Sequence, residues 1–278
     1  MDERELKTFL EGVRRARFQM PDEQQPIALA RELLAHIGTA DADLRERLIY
    51  AALGVWIEVQ RIFTADELRE LLRTVLDDAH LFRGIGETAG DAVFTRSYSA
   101  LVVARVLTVH HEAPFLNRDD INTVQGALLR YLAAERDQRG WVGDKGRAHG
   151  RAHAAEALSE LARCPEVHAG DLHTIINAVR LAVASSAQAV DHAEEERFVD
   201  VIAAAVERGR ISEDHWAMWV DGFLPLVEEA DPPCYGCALN TKRFLQSLFF
   251  RAALSGWKDF PLDVVAEKAA IILDERLY

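Results

Sequence analysis

The chain of 278 residues has few cysteines: Cys164, Cys234 and Cys237 are its only three. So small a number excludes a disulfide-dense scaffold and agrees with a reducing compartment. The charged N-terminal sequence lacks the apolar core of a signal peptide, and no later run approaches the ~20 uninterrupted apolar residues of a membrane span. We therefore expect a cytoplasmic protein that has no membrane partner.

Positive charge is also scarce. The chain has 32 Lys and Arg against 45 Asp and Glu, for a formal net charge of −13, which opposes sequence-independent binding to phosphate backbones. The one tight basic cluster is Arg14, Arg15 and Arg17, and such a run on an amphipathic helix is typical of its solvated side. We therefore do not expect nucleic acid as a partner.

The alternation of apolar and polar residues that marks β-strands is missing. Apolar residues instead recur at helical spacing almost throughout, beginning with Leu6 and Leu10. Thr64, Asn117 and Ser212 each precede acidic residues and are typical N-caps, since their side chains accept from the unpaired amides of a first helical turn. We predict about twelve helices, which start near residues 2, 24, 43, 65, 88, 118, 146, 170, 192, 212, 238 and 260.

Helices joined by short loops predict an all-α fold of antiparallel helical hairpins. Such hairpins stack into an α-α superhelix, a HEAT-like solenoid, which either stays open or closes into an α/α toroid. The composition, with 49% hydrophobic and 28% charged residues, permits a sizeable core, and we expect a single domain over residues 1–278.

Loop order predicts which parts of the chain meet, because alternate loops of antiparallel helices lie at the same edge. One edge, the predicted functional rim, receives several unusual polar residues, since loops from distant repeats converge on one face of a helical-repeat scaffold. This rim collects Asp91, the segment 141–153, Ser186, Asp191, His192, Glu195 and the run that ends at Cys237. The prediction depends on the helix count, because one missed helix reverses the order beyond it.

The most informative segment of the sequence is a glycine-rich loop that contains Trp141, Asp144 and Lys145 and leads into a predicted helix. His149 and His153 follow four residues apart, so that both imidazoles lie on one helical face. We interpret the segment as a pocket for a small polar or anionic ligand or a partner segment, with aromatic stacking by the tryptophan. Arg151 adds positive charge to the same set.

Other interpretations of this segment stay open. His149, His153 and Glu156 share one stripe and match a divalent-metal site, most simply for zinc, at which a bound water is activated for hydrolysis. A purely structural role is the third interpretation, in which the histidines pack and Asp144 is the N-cap of the next helix.

A second glycine-rich stretch precedes Asp91 and Arg96, which we include in the ligand-binding set. Arg96 is the residue best able to bind an anion, because a guanidinium donates two parallel hydrogen bonds to one. In a closed toroid, rim carboxylates such as Asp91, Asp144 and Glu195 would act as acid and base on a sugar. Whether the protein is an enzyme stays open.

Four common signatures of catalytic or binding sites lack support. Cys234 and Cys237 have the spacing of a redox dithiol but no strand–turn–helix setting, and zinc would need two more ligands, so two buried, unreactive thiols are expected. There is no Gly-x-Ser-x-Gly elbow, and no phosphate-binding glycine motif follows a strand.

Several segments together resemble the bacterial domain-of-unknown-function family 2785. They are Asp91–Arg105, Pro114–Leu116, Arg139–His153, Glu195–Arg197 and Lys242–Leu245. The resemblance covers most of the chain, and its most specific part is the glycine loop with the two histidines. This chain departs from the family pattern by Arg147 in place of an aromatic residue and by Glu156 in place of aspartate. The resemblance implies an all-helical fold of helical-repeat type and no known activity.

Overall fold

A computed structural model of the chain describes residues 1–185, 193–228 and 234–276, with side chains up to residue 272. Within these residues the regular secondary structure is helical and contains no strand. The prediction of an all-α fold is confirmed. The superhelical arrangement of the helices stays a prediction.

The helices up to the glycine loop and the one after it begin and end as follows: α1 Glu3–Arg15, α2 Pro26–Ala35, α4 Ala65–Val75, α5 Ala92–Glu112, α6 Arg118–Ala134 and α7 Gly150–Arg163. Helix α3 is continuous and comprises a π-helical Asp43–Tyr50, an α-helical Ala51–Gly54 and a π-helical Val55–Val59. The remaining helices are α8 Ala169–Ala184, α9 Glu194–Glu207, α10 Glu213–Asp221, α11 Phe223–Glu228, α12 Tyr235–Ser255 and α13 Leu262–Arg276.

The chain divides into two compact units. Unit 1 is Met1–Ala157 and unit 2 is Leu158–Tyr278. Unit 1 buries Trp56, Phe94 and Tyr131, and unit 2 buries Phe198, Phe223 and Phe244, each exposed by at most 1%. Each unit therefore has an apolar core of its own. The expectation of one domain over residues 1–278 stays a prediction.

The predicted capping residues begin their helices as expected. Thr64 and Asn117 form capping boxes with the third residue of α4 and α6, and the hydroxyl of Ser212 accepts from the backbone N–H of His215. These caps satisfy amides that a first helical turn leaves unpaired, which fixes where the helix begins.

Short helix α11 is absent from the sequence-based prediction. Gly222 ends α10, and Pro225 lies in the first turn of α11, where a residue without an N–H is tolerated, whereas it would interrupt a continuous helix. Because α11 adds one helix to the count, the loop-order argument that placed Cys234 on the predicted rim does not hold. Ser186, Asp191 and His192 lie outside the described residues.

Helix α5 lies at the centre of unit 1. Among the described residues it is the one helix long and apolar enough to cross a membrane, by length and composition alone, and 83% of its apolar stretch is buried inside the protein. Its sixteen buried residues include Phe94, Arg96 and Tyr98. This helix therefore supplies both core contacts and side chains of the candidate site.

Candidate functional site

The glycine loop folds back on itself as a hairpin in front of α7. Backbone amides of Val142, Ala148 and His149 donate to the carbonyls of Gly146, Gly140 and Arg139, at 2.8, 3.0 and 3.1 Å. Trp141 pairs with Arg147 in an isolated antiparallel bridge, and a single 3₁₀ turn, Gly143–Lys145, forms the tip.

Asp144 lies exposed in that tip, six residues before α7 begins at Gly150. The interpretation of Asp144 as the N-cap of this helix is therefore corrected. The physical reason is the hairpin itself, since its backbone bonds delay the start of the helix by four residues relative to the predicted start near residue 146.

Helix α3 holds the hairpin in place. The buried guanidinium of Arg45 donates to the carbonyl of Lys145, and the backbone N–H of Arg147 donates to Glu46 Oε1 at 3.1 Å. Arg45 also lies over the ring of Phe94, 4.1 Å from its centroid. Contacts between residues 100 positions apart therefore fix the loop.

Gly146 has the closest approach to α3. Its φ is +76°, and a Cβ atom there would lie 2.7 Å from Glu46 Oε1 and 3.0 Å from Ala42 Cβ. We expect Gly146→Ala to lower the free energy of unfolding by about 2–3 kcal/mol, since it combines a left-handed backbone with overpacking. Urea denaturation measures the change.

Gly143 provides the matched control in the same loop. Its φ is +46°, but a Cβ there would meet no atom within 4 Å. Gly143→Ala is therefore expected to cost only the backbone part, about 1 kcal/mol. Equal losses in the two variants would contradict the proposed contact between Gly146 and α3.

The structure brings together two residues of the predicted ligand-binding set at the surface of unit 1. Lys145 Nζ lies 2.8 Å from both carboxylate oxygens of Asp91, and both side chains are 45% exposed. Arg139 also donates to the carbonyl of Gly90 at 2.7 Å. An exposed pair of this kind contributes about 0–1 kcal/mol, so breaking it costs little.

Arg96 does not face a ligand. It is fully buried, and its Nε and Nη2 donate to the two carboxylate oxygens of Glu135 at 2.7 and 3.0 Å, while Nη1 donates to the carbonyls of Arg83 and Gly84. The interpretation of Arg96 as an anion-binding residue is corrected, because internal acceptors use its donors. Arg151 is also buried, 4% exposed, and does not present its charge at the surface.

The rings of the two histidines meet, although His149 lies just before α7 and not on a face of the helix as predicted. The rings of His149 and His153 stack with centroids 5.6 Å apart and an interplanar angle of 17°. His153 in turn contacts Tyr98 edge to face at 5.4 Å, and Tyr98 contacts Tyr50 at 5.7 Å. Helices α3, α5 and α7 thus contribute to one row of four aromatic rings.

His149 has an unusual backbone. Its φ is +48°, in the left-handed region that residues with a Cβ rarely adopt, although histidine does so more often than most. Its carbonyl accepts from the N–H of His153 at 2.9 Å. The left-handed residue therefore connects the hairpin to the first turn of α7.

Ionisable side chains surround this aromatic row. Arg105 donates to Tyr50 Oη at 2.8 Å and to Glu58 Oε2 at 2.7 Å. Burial, with a smaller contribution from Glu156, raises the pKa of Tyr50 to about 12, and burial with the Glu46 charge raises the pKa of Tyr98. Both phenols stay protonated at neutral pH and are hydrogen-bond donors there.

The described residues supply no third ligand for a metal at His149 and His153. Among residues 1–185, 193–228 and 234–276, no group of three or more His, Cys, Asp or Glu side chains is placed to hold a metal ion. Glu156 of the predicted set instead lies close enough to raise the pKa of Tyr50 and of Arg105. The described side chains therefore provide no complete ligand set for zinc at His149 and His153.

The cysteine pair of unit 2 differs from the expectation of two thiols. Cys234 and Cys237 form a disulfide at the start of α12, because the first helical turn brings residues three positions apart together. Glu195, a candidate carboxylate, lies on α9 of the same unit.

Sequence reasoning missed four side chains of the site: Arg45, Glu46, Tyr50 and Arg105. A charged residue inside an apolar helical pattern was the available signal for Arg45, which follows Leu44 and precedes Leu48.

The fold and the site define an all-helical protein with a polar site beside an aromatic row. A family model described as "Protein of unknown function (DUF2785)" matches residues 81–250. The match spans more than half of the chain, so the chain belongs to this family, and the resemblance is confirmed. No curated protein and no solved structure matches the chain. The matched region contains the hairpin, His149 and His153.

Proposed function

We propose that unit 1 binds a small polar anion, a carboxylate or phosphate, at the His149–His153 pair. The main observation that supports this proposal is the left-handed backbone of His149. Such a conformation costs a non-glycine residue about 1–3 kcal/mol and persists where its surroundings enforce it, most often at functional sites. Here it accompanies the parallel stacking of one half-buried imidazole on another.

Two stacked imidazoles favour an anion. Imidazole N–H groups are hydrogen-bond donors that lie in the plane of the ring, and when both rings are protonated their mutual repulsion is relieved by a negative charge at their edges. Arg45 adds positive potential, since its guanidinium lies 5.0 Å from the ring of Tyr98, the ring that His153 contacts.

The exposed hairpin supplies an outer surface for such a ligand. Trp141 is 55% exposed and pairs through its backbone with the exposed Arg147, so a planar indole and a guanidinium lie at one end of the loop. Lys145 forms only a weak, exposed ion pair with Asp91 and is a further cation in the same loop. In the part of the chain that the structure describes, no comparable observation favours a metal-dependent hydrolase, a glycan-processing enzyme or a partner segment.

The proposal predicts saturable shifts of the imidazole resonances of His149 and His153 in NMR spectra when inorganic phosphate or malonate is added. His153→Gln is expected to weaken binding at least about tenfold, because a charge-assisted hydrogen bond contributes about 1.5–3 kcal/mol. His149→Asn should weaken it similarly while keeping the left-handed backbone, which asparagine tolerates.

His80→Gln is the matched control, since it removes another histidine of unit 1, one that pairs with Asp77 at 2.8 Å. It is expected to leave binding unchanged. Shifts that do not saturate for either anion, or that respond equally to His80→Gln and His153→Gln, would overturn the proposal.

A further inference from the structure

The cysteine pair of unit 2 lies outside the proposed anion site and is capable of thiol–disulfide exchange. Cys234 and Cys237 form a disulfide, with their Cα atoms 5.2 Å apart, at the start of α12. We propose that this pair is a redox-active site that exchanges two electrons with a dithiol, or with a disulfide, of another molecule.

The position of Cys234 favours the reduced form of the pair. Cys234 is the N-cap of α12, a helix of 21 residues, and its Sγ accepts from the backbone N–H of Cys237 at 3.2 Å. The same N–H, together with the positive end of the helix dipole, stabilises a thiolate at Sγ after reduction. A stabilised thiolate at Cys234 is also the better leaving group when the mixed disulfide on Cys234 is resolved.

The two cysteine residues differ in exposure. Cys237 is 6% exposed, whereas Cys234 is half-buried and is followed by Tyr235, which is 62% exposed. We therefore expect a sulfur atom of another molecule to reach Cys234 more readily than Cys237. This difference makes Cys234 the residue that exchanges and Cys237 the residue that resolves the mixed disulfide.

A purely stabilising role explains the disulfide poorly. The two cysteines are three positions apart in the sequence. A disulfide stabilises a protein by restricting its unfolded chain, and this stabilisation decreases as the closed loop becomes shorter. Both cysteines also belong to the same helix start, so the bond joins no separate elements. The remaining explanation for a bond at this place is its chemistry.

In the reducing direction, a thiolate of the partner dithiol attacks Sγ of Cys234. The bond between Cys234 and Cys237 breaks, and Cys237 leaves as a thiolate. The second thiolate of the partner then attacks the mixed disulfide, forms the partner's own disulfide and releases Cys234 as a thiolate. The chain gains two electrons, the partner loses two, and the thiolates take protons from water. The reverse sequence reduces a partner disulfide.

The third cysteine does not interfere with a test. Cys164 is buried in unit 2, and its burial raises the pKa of the thiol to about 12, so it stays a thiol at neutral pH. A Cys164→Ala background removes it from the count of reactive groups.

The experiment treats the folded, reduced Cys164→Ala protein with 5,5′-dithiobis(2-nitrobenzoate), an aromatic disulfide. The dithiol is expected to release two thionitrobenzoate ions per chain and to keep no adduct by mass spectrometry, because Cys237 displaces the second ion from Cys234. Cys237→Ser should release one ion and keep the adduct. Cys234→Ser should react at least about tenfold more slowly than Cys237→Ser, because the remaining thiol is buried.

Circular dichroism and thermal midpoints establish that the variants are folded. Where a variant fails to fold, the adduct measurement on the Cys164→Ala protein alone decides, because a dithiol site keeps no adduct. The proposal is overturned if that protein retains the adduct, if the two serine variants react equally fast, or if dithiothreitol reduces the oxidised protein only after urea has unfolded it.

Discussion

Glu135→Ala is expected to lower the free energy of unfolding by about 3–5 kcal/mol, because it leaves a buried guanidinium without its counter-charge. Glu135 is fully buried as a side chain, as is Arg96, and the two form a bidentate pair. Glu135 also accepts from Tyr131 Oη at 2.7 Å and from the backbone N–H of Asp137 at 2.9 Å. Urea denaturation measures the loss.

The double variant Arg96→Met/Glu135→Leu is the control that separates the effect of an unpaired buried charge from the effect of replacing the side chains. Removing both charges leaves no unpaired ion, so the double variant should be more stable than Glu135→Ala alone. The opposite order would show that the packing of the side chains, and not the buried charge, determines the effect.

This buried pair also supports the candidate site. Gly150, the first residue of α7 and the neighbour of His149, packs directly on it: a Cβ at Gly150 would lie 3.0 Å from Tyr131 Oη and 3.2 Å from Glu135 Oε2. The ion pair therefore lies directly against the start of the helix that contains His153.

The helices were predictable because their signals are local. The apolar period and the N-cap residues Thr64, Asn117 and Ser212 lie within a few positions of the backbone that they control. The same holds for His149 and His153, whose contact follows from a separation of four residues. Helix α11 was missed because the apolar pattern continues across Gly222 and Pro225, the residues that mark the break after α10.

The partners of the charged residues were not predictable in the same way. Nothing near Arg96 in the sequence indicates that Glu135, 39 positions later, neutralises it. Likewise, nothing near Lys145 or Arg147 identifies Arg45 and Glu46 as their supports, 100 and 101 positions away. A single sequence contains the residue types of the site but not the pairing that decides which of them face a ligand.

Arg45→Met tests the most distant of these pairings. Arg45 is fully buried, and its Nη1 donates to the carbonyl of Thr39 at 2.6 Å, while Nη2 donates to that of Lys145. Its guanidinium lies over Phe94 and Tyr98. Charged hydrogen bonds contribute about 1.5–3 kcal/mol each and a desolvated cation–π contact up to about 2, offset by the desolvation of the ion, so we expect a net loss of about 2–4 kcal/mol.

Arg47→Met is the matched control two positions away. Arg47 has a side chain 74% exposed, paired with Asp43 at 3.6 Å, and its replacement should change stability by no more than about 0.5 kcal/mol. Amide hydrogen exchange gives the second measurement: protection should fall in the hairpin, residues 140–148, in Arg45→Met alone. Unchanged protection there would mean that the backbone hydrogen bonds of the hairpin keep it ordered without the contact from α3. Increased exchange would show instead that a helix begun 100 residues earlier holds the loop from which His149 extends.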